Sequence, residues 1–164
     1  MHFNPIILKR VLLFLIPFCL TFNACNWFKE TPEVGLMLAE HFNNKLYKKF
    51  DTAEYNVIFK KHLDSLKGSF SNPNTITAFY LQNNSEPRLV NKHFANGGLD
   101  SLENYISRSE EHGFNPQVFN LKKLKKLMEQ LSANDFKSIS EVYPVVADLE
   151  LNAAESLIKY NNFI

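Results

Sequence analysis

The chain has 164 residues, 45% of them apolar and 21% charged, the composition of one folded globular domain. Five Gly and seven Pro exclude collagen-like and low-complexity classes, and two Cys cannot by themselves supply a disulfide framework or a thiolate metal site. Eighteen basic against seventeen acidic residues leave a formal charge of +1, which carries no nucleic-acid footprint.

Residues Met1–Arg10 end in Lys9 and Arg10, and an apolar run follows from Val11 to Leu20 with Pro17 inside it. A membrane-spanning helix needs about 20 apolar residues, and this run is too short. Charge, then a short apolar centre, then a small residue predicts a secretory leader. Its end, Thr21-Phe22-Asn23-Ala24-Cys25, resembles the lipobox of bacterial lipoproteins, where cleavage precedes the cysteine and its sulfur takes a diacylglycerol. Phe22 stands where lipoboxes favour Leu. The resemblance implies a signal peptide over residues 1–24, lipidation at Cys25, and a membrane partner through the anchor. It also implies a cell-envelope address facing the periplasm. Each buried CH₂ of an acyl chain contributes about 0.8 kcal/mol, so several chains hold a domain on a bilayer. The rival reading is an uncleaved signal anchor with a buried thiol.

Beyond the leader the segments read as amphipathic helices with start and stop signals. Thr31-Pro32-Glu33 offers an N-cap hydroxyl, Pro at the first helical position and an acid in the first turn. Val34, Met37, Leu38, Phe42 and Leu46 then keep helical spacing. Asp51-Thr52-Ala53-Glu54 reads as a capping box for a second helix through Tyr55, Ile58, Phe59, Leu63 and Leu66, stopped by Gly68. Asn72-Pro73 opens a short third helix carrying Ile76, Phe79 and Tyr80. Residues 83–98 are polar, with Pro87 and the Gly97-Gly98 pair, and predict a long loop.

A fourth helix is expected from Leu99 or Asp100 to His112, with Leu102, Tyr105, Ile106 and Ser109 on one side and Gly113 as its left-handed stop. Asn115-Pro116 caps a fifth, in which Phe119, Leu121, Leu124, Leu127, Met128 and Leu131 alternate with lysines. A last helix is predicted from Pro144 to Asn161. Strand signals are weak throughout. The expected fold class is all-α, an irregular bundle of about five to six helices after an N-terminal signal helix. The expected organisation is an N-terminal helical segment over 25–71 and a second helical domain over 72–164.

Candidate chemistry is sparse. His41 and His62 have no metal-binding partner four residues away, His93 falls in the predicted loop, and His112 precedes a helix stop where the macrodipole favours it. No metal and no cofactor is expected. Lys122, Lys123, Lys125 and Lys126 could contact anionic lipid, but leucines at helical spacing place them on a solvated face. Glu110 and Glu111 are adjacent and point about 100° apart on a helix, so they do not form a catalytic pair. No G-x-S-x-G, Walker or kinase-type glycine loop is present, so no catalytic residue is assigned.

From Asn74 onward the punctuation has a distinctive order. Phe79-Tyr80 precedes Pro87-Arg88-Leu89, Gly98-Leu99 follows, then Gly113-Phe114-Asn115-Pro116-Gln117-Val118-Phe119, and finally Glu150-Leu151-Asn152-Ala153-Ala154 through Tyr160. This order resembles the helical scaffold domain of the large multi-domain murein L,D-transpeptidases. Leu89 replaces that family's tryptophan, Glu150 its usual Asp, and Ala154 its frequent Thr. The resemblance implies that Phe79, Tyr80, Pro87, Gly98, Leu99, Gly113, Phe114, Pro116, Phe119, Glu150 and Tyr160 are structural scaffold positions.

It further implies an envelope role in 3→3 peptidoglycan crosslinking, a reaction in which a cysteine attacks a stem peptide. No cysteine follows Cys25, so this chain is expected to be inactive, truncated ahead of a catalytic domain. Expected partners are a separately encoded catalytic domain and peptidoglycan. The alternative is a stand-alone helical envelope lipoprotein that binds peptidoglycan or a protein.

Overall fold

Asn, Pro and Gly cut the chain into short helices, and one long apolar helix near the C-terminal end collects them. The computed structural model describes residues 30–163, and all regular structure among them is helical. The predicted signal peptide and Cys25 lie outside the described residues. Among the described residues there are seven α-helices: α1 Glu33–His41, α2 Thr52–Leu66, α3 Pro73–Gln82, α4 Arg88–His93, α5 Gly98–Ser107, α6 Leu121–Ala133 and α7 Ile139–Phe163. Short 3₁₀ turns join them at Lys45–Lys49, Lys67–Ser69, Arg108–His112 and Pro116–Phe119. The all-α irregular bundle is therefore the architecture.

Several boundaries differ from expectation, each for a local reason. Thr31 does not cap α1; its hydroxyl donates to the Lys48 carbonyl at 2.9 Å, tying the helix start to the following turn. The first helix stops at His41, five residues before Leu46. Asn43 takes φ +47°, and the Asn44 side chain accepts from Leu46 N, starting a tighter turn instead. Only half of the predicted capping box forms. Asp51 accepts from Ala53 N and Glu54 N, while its own N–H donates to the Tyr143 hydroxyl at 3.0 Å, which donates on to Glu54. A tyrosine from α7 thus completes the cap in place of a direct return bond.

The predicted loop over 83–98 contains α4, and His93 is its last residue. The fifth predicted helix is split: Asn115 caps the Pro116–Phe119 turn, and Asn120 at φ +60° breaks it from α6. The fourth ends as a 3₁₀ turn before Gly113, whose φ of +81° requires glycine. Tyr105 faces solvent at 61% exposure, not the core with Ile106. The last helix starts at Ile139, and Pro144 lies inside it. The carbonyl that Pro144 leaves unpaired belongs to exposed Ser140, so the break is tolerated.

Thr31–Ile164 cluster as one compact unit around α7. From Val142 to Ser156 this helix is buried on almost every side, packing against α2, α4, α6 and the Pro116–Phe119 turn. Tyr47, Tyr55, Phe59, Tyr80, Phe119 and Tyr143 supply the large core side chains. An apolar helix surrounded in this way acts as an axle rather than a surface element.

Candidate functional site

The buried polar groups on α7 mark the positions where it grips its neighbours. Glu150 has no solvent exposure, and its carboxyl group meets three donors. Oε1 accepts from the Tyr80 hydroxyl at 2.7 Å and Leu89 N at 3.0 Å, and Oε2 accepts from Val90 N at 2.8 Å. The carboxyl therefore caps α4 from another helix and binds α3 through Tyr80. Desolvation raises its pKa, against the lowering effect of the Leu89, Tyr80 and Val90 bonds and, last, of the nearby Arg88 backbone N–H. This distant cap explains why α4 was invisible locally: its acceptor lies about 60 residues away in sequence.

Two further residues on α7 act in the same manner. Glu155 Oε1 accepts from Ser71 N at 2.8 Å, just before α3, and pairs with Lys159 at 3.2 Å. Ser156 Oγ donates to the Phe119 carbonyl at 2.7 Å. On a more open flank, Asp148 pairs with His62 of α2 at 2.6 Å. Each bond fixes one neighbouring segment to the axle.

The positions picked out in the sequence separate into groups along this helix. Tyr80, Pro87 and Glu150 form the first, with Phe79 packed edge-on to Tyr80 but itself 44% exposed. Gly113, Phe114, Pro116, Phe119 and Tyr160 form the second. There the Phe119 ring stands 5.7 Å from Tyr160 and 6.3 Å from Phe114, centroid to centroid. Gly98 and buried Leu99 start α5 apart from both; a Cβ at Gly98 would come within 2.9 Å of His93, so the glycine permits that close approach.

Sequence reasoning missed the roles of Tyr55, Val90, Tyr143, Glu155 and Ser156. Acidic residues inside the otherwise apolar α7 pattern were the available signal for Glu155. Lys122, Lys123, Lys125 and Lys126 are exposed opposite the buried leucines, and Lys125 pairs with Glu103 at 2.9 Å. Glu111 pairs with Arg108 on the surface instead of facing Glu110.

A cavity of about 560 Å³ opens between the first turns of α1, α2 and α4, lined in part by Tyr55, Pro87 and Arg88. Among the described residues no cluster of His, Cys, Asp or Glu is arranged to hold a metal ion. Among them, too, no helix is long and apolar enough to cross a membrane. Both oxygens of Glu150 are engaged and sealed from water, so this carboxyl positions helices rather than exchanging protons with a substrate.

This geometry defines a class: a helical support whose central rod carries buried polar staples to the segments around it. A family profile described as Scaffold domain matches residues 74–164, from the start of α3 through α7. The chain belongs to that Scaffold domain family. No curated protein and no solved structure matches it.

Proposed function

We propose that the chain is the non-catalytic scaffold portion of a lipid-anchored L,D-transpeptidase of the cell envelope. In this reading it serves 3→3 peptidoglycan crosslinking by supporting a catalytic domain that lies outside residues 1–164. The match over residues 74–164 supports the scaffold part of the reading, and the transpeptidase part rests on the ordered resemblance of Phe79-Tyr80, Pro87, Gly113 to Phe119, and Glu150 to Tyr160. Its support is physical as well: Tyr80 and Glu150, 70 residues apart in sequence, meet beside the helix start at Pro87. The lipobox-like end at Cys25 supplies the membrane attachment, and the absence of any later cysteine leaves the chain without a thiolate nucleophile.

Two measurements test this. Incubation with a disaccharide-tetrapeptide substrate is expected to yield no crosslinked product from this chain alone; 3→3 dimers in that assay would overturn the non-catalytic assignment. Metabolic labelling with an alkyne fatty acid is expected to tag the wild-type chain and not Cys25→Ala. Equal labelling of both would remove the anchor from the proposal.

A further inference from the structure

Asn96 is the one asparagine in the sequence that precedes a glycine, and it sits exposed in the turn that joins α4 to α5. Asparagine is chemically labile because the next residue's amide nitrogen can attack its side-chain carbonyl carbon. A side chain on that next residue obstructs the approach, and Gly97 has none. The Asn96 carboxamide folds back on its own backbone. Its Oδ1 accepts from Gly98 N at 3.0 Å, and its Nδ2 donates to the Lys92 carbonyl at 2.8 Å. The Gly98 N–H therefore stands where negative charge develops on Oδ1 during attack at Cγ. The Gly97 N–H has only a long bond, 3.3 Å to the Phe94 carbonyl, so little holds the attacking nitrogen back. Asn84, which precedes the small Ser85, lacks this opening. Ser85 is buried, and its N–H donates to the Tyr80 carbonyl at 2.8 Å.

We propose that Asn96 is a site of spontaneous covalent modification, converted through a succinimide to aspartate and isoaspartate, and that the isoaspartyl product loosens the α4–α5 corner. In the first step Gly97 N gives up its proton and bonds to Cγ, and the Cγ–Nδ2 bond breaks with Nδ2 leaving as ammonia. In the second, water adds to one of the two ring carbonyl carbons and the bond from that carbon to Gly97 N breaks. Addition at Cγ gives aspartate. Addition at the main-chain carbonyl carbon gives isoaspartate, with the chain now running through Cγ. The balance is one amide and one water to one acid and one ammonia. The two products differ in what the corner accepts. Aspartate keeps the bond from Gly98 N at the start of α5, where the helix dipole favours negative charge, and loses the donor to Lys92. Isoaspartate adds a backbone carbon where space is already short: a Cβ at Gly98 would stand 2.9 Å from His93 Cβ. The isoaspartyl chain therefore parts α4 from α5. This site goes beyond the transpeptidase reading and does not depend on it.

The test is incubation of the folded full chain at mildly alkaline pH, followed by tryptic mass mapping of the peptide His93–Arg108. That peptide is expected to gain the mass of an amide-to-acid exchange, placed at residue 96 by fragmentation, with ammonia released in step. It should separate into an aspartyl and an isoaspartyl species, and the conversion should quicken as pH rises, since the attacking nitrogen must lose its proton. Asn84 should stay largely unconverted over the same period. Asn96→Gln, whose longer side chain cyclises far more slowly, should leave the peptide unchanged. In urea unfolding Asn96→Asp is expected to keep a midpoint close to wild type, and the isolated isoaspartyl species to unfold at a lower one. An unconverted His93–Arg108 peptide, or conversion as fast at Asn84 as at Asn96, would overturn the site. An isoaspartyl species with an unaltered midpoint would overturn its effect on the corner.

Discussion

Glu150→Ala removes the one acceptor shared by three donors, two of them fully buried and one partly. The Tyr80 hydroxyl, Leu89 N and Val90 N approach the carboxyl at 2.7, 3.0 and 2.8 Å, and none has another acceptor in place. Leaving each of them unpaired costs about 1–3 kcal/mol, so the gross loss is about 3–9 kcal/mol. Against this, the variant no longer buries a carboxyl group, whose desolvation costs several kcal/mol. The net destabilisation expected is about 3–5 kcal/mol, the range seen when one partner of a buried charged network is removed. Domains of this kind have only about 5–15 kcal/mol in total, so the variant should be close to unfolding at ambient temperature.

Urea unfolding followed by far-UV circular dichroism measures this directly, with the midpoint and slope compared to wild type. Glu150→Gln serves as the graded control. Its one carbonyl oxygen can keep the Tyr80 and Leu89 bonds, while its NH₂ confronts Val90 N–H, for a loss of about 1–3 kcal/mol. If Glu150→Ala fell within about 0.5 kcal/mol of wild type, as surface substitutions do, the account of α7 as a stapled axle would fail.

Three other outcomes are expected. Because burial raises the Glu150 pKa above its ordinary 4.5, the folded state holds the extra proton between the unfolded and folded values. Its stabilising contribution is therefore complete below the unfolded pKa and declines as pH rises through the folded one. Urea midpoints across a pH series should show the gap between wild type and Glu150→Gln narrowing with rising pH, and a widening gap would contradict this. Gly35→Ala should lower stability by about 1–3 kcal/mol in the same assay. A Cβ there stands 2.8 Å from both Phe50 Cβ and the Tyr47 carbonyl oxygen. Ser156→Ala loses the 2.7 Å bond to the Phe119 carbonyl and should lower the calorimetric midpoint by about 3–5 °C, corresponding to about 1 kcal/mol.

What could be read from the sequence was whatever is decided within one helical turn. Asp51, Asn72 and Asn115 each cap the segment that follows, and Gly113 adopts the left-handed stop, because these effects depend on neighbours two to four residues away. The lysine and leucine faces of α6 were legible from period alone. What escaped was every feature whose cause lies in another element. Helix α4 needs Glu150, the start of α2 needs Tyr143, and Thr31 is drawn off its own helix by Lys48. That the Tyr55 hydroxyl and Arg88 Nε are buried without a partner is likewise a property of assembled packing, with no local signature. Resemblance singles out Glu150, whereas its work as a remote cap exists only once α7 lies against α4.

The bonds that close this fold bridge 92 residues from Asp51 to Tyr143, 84 from Ser71 to Glu155 and 70 from Tyr80 to Glu150. The earlier helices touch one another, but these particular bonds close only once Ile139–Phe163 is present. Without that helix α4 lacks its cap and the Tyr80 hydroxyl its acceptor. Pairings this distant carry a large loop-closure cost, so folding is expected to be slower than in a bundle whose helices pair only with sequence neighbours.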